Sequence, residues 1–216
     1  MRERPSPNHD ERPAGGAVDI LLLHYTGMRS AAEALDRLTD PAAKVSAHYL
    51  IDEAGTVFRL VPEQRRAWHA GVGFWAGATD INARSIGIEL QNPGHEFGYR
   101  PFPAAQMRAL VALARAVLAR HPIPAWRVLG HADIAPARKQ DPGELFDWPG
   151  LAAAGIGLWP DWNAAADAGA GDWRQPLGRF GYELRDPDAT LAAFQRHFHP
   201  EALGRPASDA TRRRAA

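Results

Sequence analysis

The sequence predicts an α/β protein, a mixed central β-sheet flanked by helices, and three observations carry that reading. An apolar run of strand length, AVDILLLHYT at 17–26, leads into a helical segment at 30–38. Its continuous apolar character is that of a strand covered on both faces. A second strand pattern, SIGIELQ at 85–91, sets Ile86, Ile88 and Leu90 on one face and Gly87 and Glu89 on the other. The strongest helix, at 103–121, has Pro103 near its first turn, spaces Met107, Leu110, Val111, Leu113, Ala114, Val117 and Leu118 helically, and ends before Pro122.

Taken in order, residues 1–15 are Pro-rich and charged with nothing to bury, so a disordered leader is expected. The main domain is expected over 16–161. Within it, Ser30 and Glu33 have capping-box spacing at the start of a helix. SAHYLID (46–52) and TVFRLV (56–61) flank a Gly turn and predict a hairpin. Residues 65–84 show little periodicity but carry Trp68, His69, Phe74, Trp75 and Asn82, as a long functional loop would. WRVLGH (126–131) predicts a short strand, followed by a polar loop and a small helix near 149–154. Residues 162–171 read as a linker. A small helical tail over 172–205, with Asp186 and Pro187 opening its better helix, is too short to hold a core alone and is expected to dock on the main domain. Residues 206–216 are expected to fray.

A chain of 216 residues is long enough for one well-buried domain with accessories and too short for two full domains. Lys plus Arg and Asp plus Glu are 25 each, a balance that gives no electrostatic footprint for nucleic acid. The absence of cysteine excludes disulfides, thiolate nucleophiles and Cys-containing zinc sites. No membrane segment is expected, since the longest stretches without charge (67–79 and 148–160) are far below a span. The first sixteen residues contain no apolar signal core, so a cytoplasmic location is expected, or a periplasmic one if an export signal precedes this start. Only Lys44 and Lys139 are lysines among the 25 basic residues, which singles each of them out.

Of nine histidines, His9, His95, His121, His197 and His199 sit in leader, loop or helix-end contexts and read as packing or surface residues. His24 and His131 end apolar strands, where α/β sheets hold ligands. Asp141 follows His131 by ten residues, close enough for the loop to return a carboxylate beside the imidazole. Two His and one Asp leave a fourth position open, as catalytic zinc requires; a Ca2+-binding or solvated loop carboxylate is the alternative. Glu89 shares its strand face with a glycine, where a charge is costly unless it points into a polar cavity, although pairing with Arg84 or Arg100 is also open. Lys139 is a compact point charge suited to an oxyanion, or else a solvated loop residue.

Five ordered blocks, HYTG (24–27), VSAHYLID (45–52), LVPEQRRAWHAG (60–71), NARSIGIELQNPG (82–94) and GHADIAPARKQDPG (130–143), resemble the zinc-dependent N-acetylmuramoyl-L-alanine amidases of the AmpD and AmiD type. The resemblance covers residues 17 to about 160, and the tail looks like the C-terminal helical segment of the AmiD branch. It implies the fold shared with peptidoglycan recognition proteins and phage-lysozyme-like amidases. It also implies one Zn2+ per chain on His24, His131 and Asp141, with Glu89 and Lys139 as catalytic residues. The implied substrates are peptidoglycan fragments, cut at the amide between (1,6-anhydro-)N-acetylmuramic acid and L-Ala. Some relatives place a catalytic tyrosine before the histidine equivalent to His48; here that residue is Ala47, which loads proton transfer onto Glu89. His48, Trp68, His69, Trp75, Asn82 and Arg84 are expected to line the groove or support the site, with simple packing the alternative for each Trp. A non-catalytic muropeptide-sensing module is the competing function. A zinc peptidase is disfavoured because no H-E-x-x-H occurs.

Overall fold

A computed structural model describes residues 1–160 and 171–216. Six strands form the main sheet: β1 (Arg2–Glu3), β3 (Ile20–Tyr25), β4 (Tyr49–Ile51), β5 (Val57–Arg59), β7 (Ser85–Leu90) and β8 (Val128–Gly130). Their order is β1-β5-β4-β7-β3-β8, and β2 (His9–Glu11) pairs separately with β6 (Arg65–Ala67). The β4/β5 hairpin is antiparallel, whereas β4, β7, β3 and β8 run parallel, so the sheet is mixed, as the sequence predicts.

The helices are α1 (Ala31–Thr39), α2 (Ile81–Arg84), α3 (Gly94–Phe97), α4 (Ala104–Arg120), α5 (His131–Ile134), α6 (Trp148–Ala153), α7 (Arg174–Phe180), α8 (Pro187–Phe198) and α9 (Asp209–Ala215). Ser30 Oγ accepts from the Glu33 N–H and caps α1. Strand β3 explains the layers. Leu21 and Leu23 pack into a core with Leu110, Leu113 and Val117 of α4 and Leu151 of α6. Ile20 and Leu22 face the other way, against Leu177 of α7 and Leu191, Phe194 and Phe198 of α8. A continuously apolar strand is what a sheet with helices on both faces needs.

Three sequence expectations are corrected here. The 1–15 segment is not a disordered leader. Its β1 pairs with β5 and β2 with β6, and Arg12 donates to the carbonyls of Glu63, Asn82, Ala83 and Ser85. Those four carbonyls come from distant segments, which is why no local pattern shows the anchoring. Residues 206–216 are not frayed: Ser208 caps α9, and the fully buried Thr211 bonds His199. The 65–84 segment holds β6 and α2, and Trp75 is buried against Phe180 and Tyr182 rather than lining a groove. The expected linker at 162–171 lies, but for Gly171, outside the described residues.

Candidate active site and metal centre

The parallel strands β3, β7 and β8 end on the same side of the sheet, and the site is built there. His24 is next to last in β3 and stands in register with Glu89 of β7. His131 begins α5 directly after β8, one residue beyond the strand expected to carry it. The loop returning from α5 places Asp141 beside both rings. His24 Nδ1, His131 Nδ1 and Asp141 Oδ2 lie 3.0 Å from one another, and all three residues are buried. Among the described residues these three form the group that could hold a metal ion.

Hydrogen bonds fix which ring nitrogens face the centre. Ser85 Oγ donates to the Ile81 carbonyl at 2.7 Å, so it accepts from His69 Nε2 at 3.3 Å. His69 Nδ1 is then unprotonated and accepts from His24 Nε2–H at 3.0 Å. His131 Nε2–H donates to the Ala70 carbonyl at 2.9 Å. Both Nδ1 lone pairs therefore converge on an anionic oxygen, an arrangement that repels itself unless a cation sits among them. Separations of 3.0 Å approach the ~3.3 Å edge of a tetrahedron of ligands about 2.0 Å from zinc. The residues fit a divalent metal.

Electrostatics agree with this donor set. Burial, reinforced by His131, lowers the His24 pKa to about 4, so the ring is neutral at physiological pH. Burial raises the Asp141 carboxyl, and protonated His131 and His24 would more than offset that; with both rings neutral and their Nδ1 lone pairs turned inward, a bound cation takes over that stabilising role. Glu89 is the opposite case. Burial, then repulsion from Asp141, raises its pKa well above the ordinary carboxylate value, against the pull of Lys139. Its Oε2 is buried with no hydrogen-bond partner among the described residues. Glu89, Lys139, Trp68, His69 and the three metal-site residues line one cavity of ≈ 650 Å³.

The N-acetylmuramoyl-L-alanine amidase family matches residues 14–144. The chain is 41% identical to the amidase AmiD of Escherichia coli over 214 residues, covering 85% of this chain and 75% of that protein. The chain belongs to this family. It is an enzyme of that class, an N-acetylmuramoyl-L-alanine amidase. The amidase is also 37% identical to the 1,6-anhydro-N-acetylmuramyl-L-alanine amidase AmpD of Enterobacter cloacae, over 68% of this chain and 86% of that one. Its fold matches the E. coli AmiD structure in complex with anhydro-N-acetylmuramic acid-L-Ala-D-γ-Glu-L-Lys, with a TM-score of 0.83 and 36% identity over 95% of this chain and 90% of the other.

Not every sequence candidate belongs to the amidase cavity. Trp68 lines it, with its indole N–H donating to Asp10 at 2.8 Å. His69 lines it and supports His24. His48 is corrected: it is fully buried, its Nδ1 accepts from Gly87 N–H, and burial plus the Arg12 charge lowers its pKa to about 3. It joins β4 to β7 and is closed to substrate. Asn82 is buried too, and its Oδ1 accepts from the N–H groups of His69 and Ala70. It holds the segment that supports both metal-site imidazoles. Arg84 is at the wrong end of β7; it pairs with Asp19, as does Arg127, where the parallel strands begin. Arg12, Ser85 and Gly87 were not singled out. Gly87 has a legible signal, since it shares Glu89's face. A Cβ there would meet the His69 ring at 2.5 Å, so the glycine makes room for that ring.

Proposed function

We propose that this amidase uses one zinc ion per chain, on His24, His131 and Asp141, to hydrolyse the amide between the lactyl carbonyl of (1,6-anhydro-)N-acetylmuramic acid and the L-Ala amine of the stem peptide. What carries the reading is one juxtaposition: two imidazole lone pairs and a carboxylate converging at 3.0 Å, beside the half-buried Glu89, whose inner Oε2 has no hydrogen-bond partner among the described residues. A zinc ion held by these three residues would supply Lewis acidity and lower the pKa of a bound water toward neutrality. Glu89 accepts the proton of the attacking water, a task suited by its raised pKa, and then delivers it to the departing L-Ala amine. The Lys139 ammonium opposes the negative charge that develops on the carbonyl oxygen. Trp68 offers an aromatic face for the sugar or peptide.

Turnover is favoured over sensing because a module that only bound muropeptides would gain nothing from the cost of leaving Glu89 Oε2 buried and unpartnered. Recycling of soluble fragments in the cytoplasm is the proposed setting. It is supported by the 1,6-anhydro substrate in the name of the AmpD relative and by the fragment bound in the AmiD structure. No helix among the described residues is long and apolar enough to cross a membrane. Fractionation of the native protein tests the setting; recovery in the periplasm contradicts it. The chemistry is tested with two variants. Glu89→Gln should keep one zinc and lose turnover by about 100-fold or more, and His131→Ala should lose the zinc. Near-normal kcat in the first, or undiminished zinc in the second, contradicts the assignment.

A further inference from the structure

We propose that Tyr182 and His197, both in the C-terminal tail, are positioning residues for the metal ligand His131, acting through Asp133. The proposal rests on the metal reading above and adds a task for the tail. Helix α5 is a single turn of four residues, too short to hold itself. Its first residue is His131, and the carboxylate that fixes its entry belongs to Asp133, which is 1% exposed. Asp133 Oδ2 accepts from the Gly130 N–H at 2.7 Å, tying the helix to the end of β8.

The carboxylate's other two partners come from the tail. Tyr182 donates its hydroxyl to Oδ1 at 2.5 Å, and His197 Nδ1–H donates to Oδ2 at 2.7 Å. Removing either donor leaves a buried carboxylate short of a partner, which costs more than the bond itself is worth. Water cannot readily take its place. The gap bounded by Gly130, Asp133, Asp141 and His197 holds ≈ 10 Å³, at or below the size of one water.

Two further contacts join this cluster to the metal site. The Ala132 N–H donates to the Asp141 carbonyl at 2.9 Å, so a shift of α5 moves both His131 and Asp141. The His197 ring stacks on Trp148 at 3.7 Å between centroids, and Trp148 opens α6 just after the Asp141 loop. His197, which the sequence groups with the packing histidines, thus sits between the tail and the loop carrying a metal ligand. The tail covers one sheet face through Leu191, Phe194 and Phe198, and it sets the backbone under two of the three ligands.

The test is zinc affinity of the full-length chain, measured by competition with a fluorescent chelator, with thermal unfolding run alongside. Tyr182→Phe and His197→Leu should each weaken zinc binding by about 10- to 100-fold, the range for loss of a group that orients a metal ligand. His197→Asn, whose amide nitrogen stands where Nδ1 stood, should recover affinity to within about threefold of wild type. Leu191→Ala, buried in the same tail but away from Asp133, should lower Tm and leave zinc affinity unchanged. If Tyr182→Phe and His197→Leu bind zinc as wild type does, or if Leu191→Ala weakens it equally, the positioning role is overturned. Should His197→Leu fail to fold, Tyr182→Phe, which removes one hydroxyl, decides alone. A wild-type chain that binds no zinc overturns both this role and the metal reading, whereas unchanged variants overturn only the former.

Discussion

Replacing Gly87 with alanine places one methyl group against the His69 ring. The added Cβ would lie 2.5 Å from Cγ and Nδ1, about 1 Å inside ordinary contact. His69 cannot simply retreat, because its ring packs edge-on to His24 at 5.1 Å and to His48 at 5.5 Å. Gly87 lies in a strand, so the alanine backbone itself is unstrained and the cost comes from the clash. Overpacking of this kind costs about 1–3 kcal/mol, which at about 2–4 °C per kcal/mol lowers Tm by about 2–12 °C. It also displaces the acceptor of His24 Nε2–H, so zinc affinity should fall by about 10- to 100-fold. The assay is a double-mutant cycle in which Gly87→Ala is made alone and with His69→Ala, and Tm and zinc affinity are read in both. With the ring gone the methyl group has room, and Gly87→Ala should cost less than about 0.5 kcal/mol in that background. Equal cost in both backgrounds would refute the reasoning, since the methyl group would then be striking something other than His69.

Two other outcomes follow from the electrostatics. Lys139→Ala should keep zinc and lower kcat by about 100- to 1,000-fold, as loss of one group stabilising an oxyanion does; a kcat within threefold of wild type contradicts that role. The metal-free protein should also be acid-sensitive. The folded-state pKa of His48 is depressed to about 3, so the stability from its neutral form is fully present above about 6.5 and is lost as pH falls through that window. By pH 5, His48 alone should cost about 2 kcal/mol, with His24 adding to it. Urea unfolding midpoints that stay level between pH 7 and pH 5 would show that these rings are not held neutral.

The sheet and the metal-site residues were legible because the sequence writes them locally. A continuously apolar β3 with His24 next to its end and an alternating β7 with Glu89 next to its end declare both burial and position, and the resemblance adds the partners in the 130–143 block. Direction along the strand also held information about Arg84. It stands five residues before Glu89, about 17 Å away along an extended chain, so the two cannot serve the same end of a sheet. What stayed hidden depends on long-range partners. Arg12 looks like any solvated arginine until the carbonyls of residues 63, 82, 83 and 85 are brought around it. The same holds for His197, whose role needs Asp133 from 64 positions away. His48 and Asn82 were placed near the site by their motifs, but only the fold shows that they face inward.

The most direct measurement is mass spectrometry of the products from a defined anhydromuramyl tripeptide, with zinc present, with zinc removed by chelator, and with zinc restored. The account predicts two products, the sugar bearing a free lactyl carboxylate and a stem peptide with an intact L-Ala amino terminus. Neither product should form after chelation, and both should return with zinc. Uncut substrate in the presence of zinc, cleavage at any peptide bond beyond L-Ala, or unchanged cleavage without zinc would contradict it.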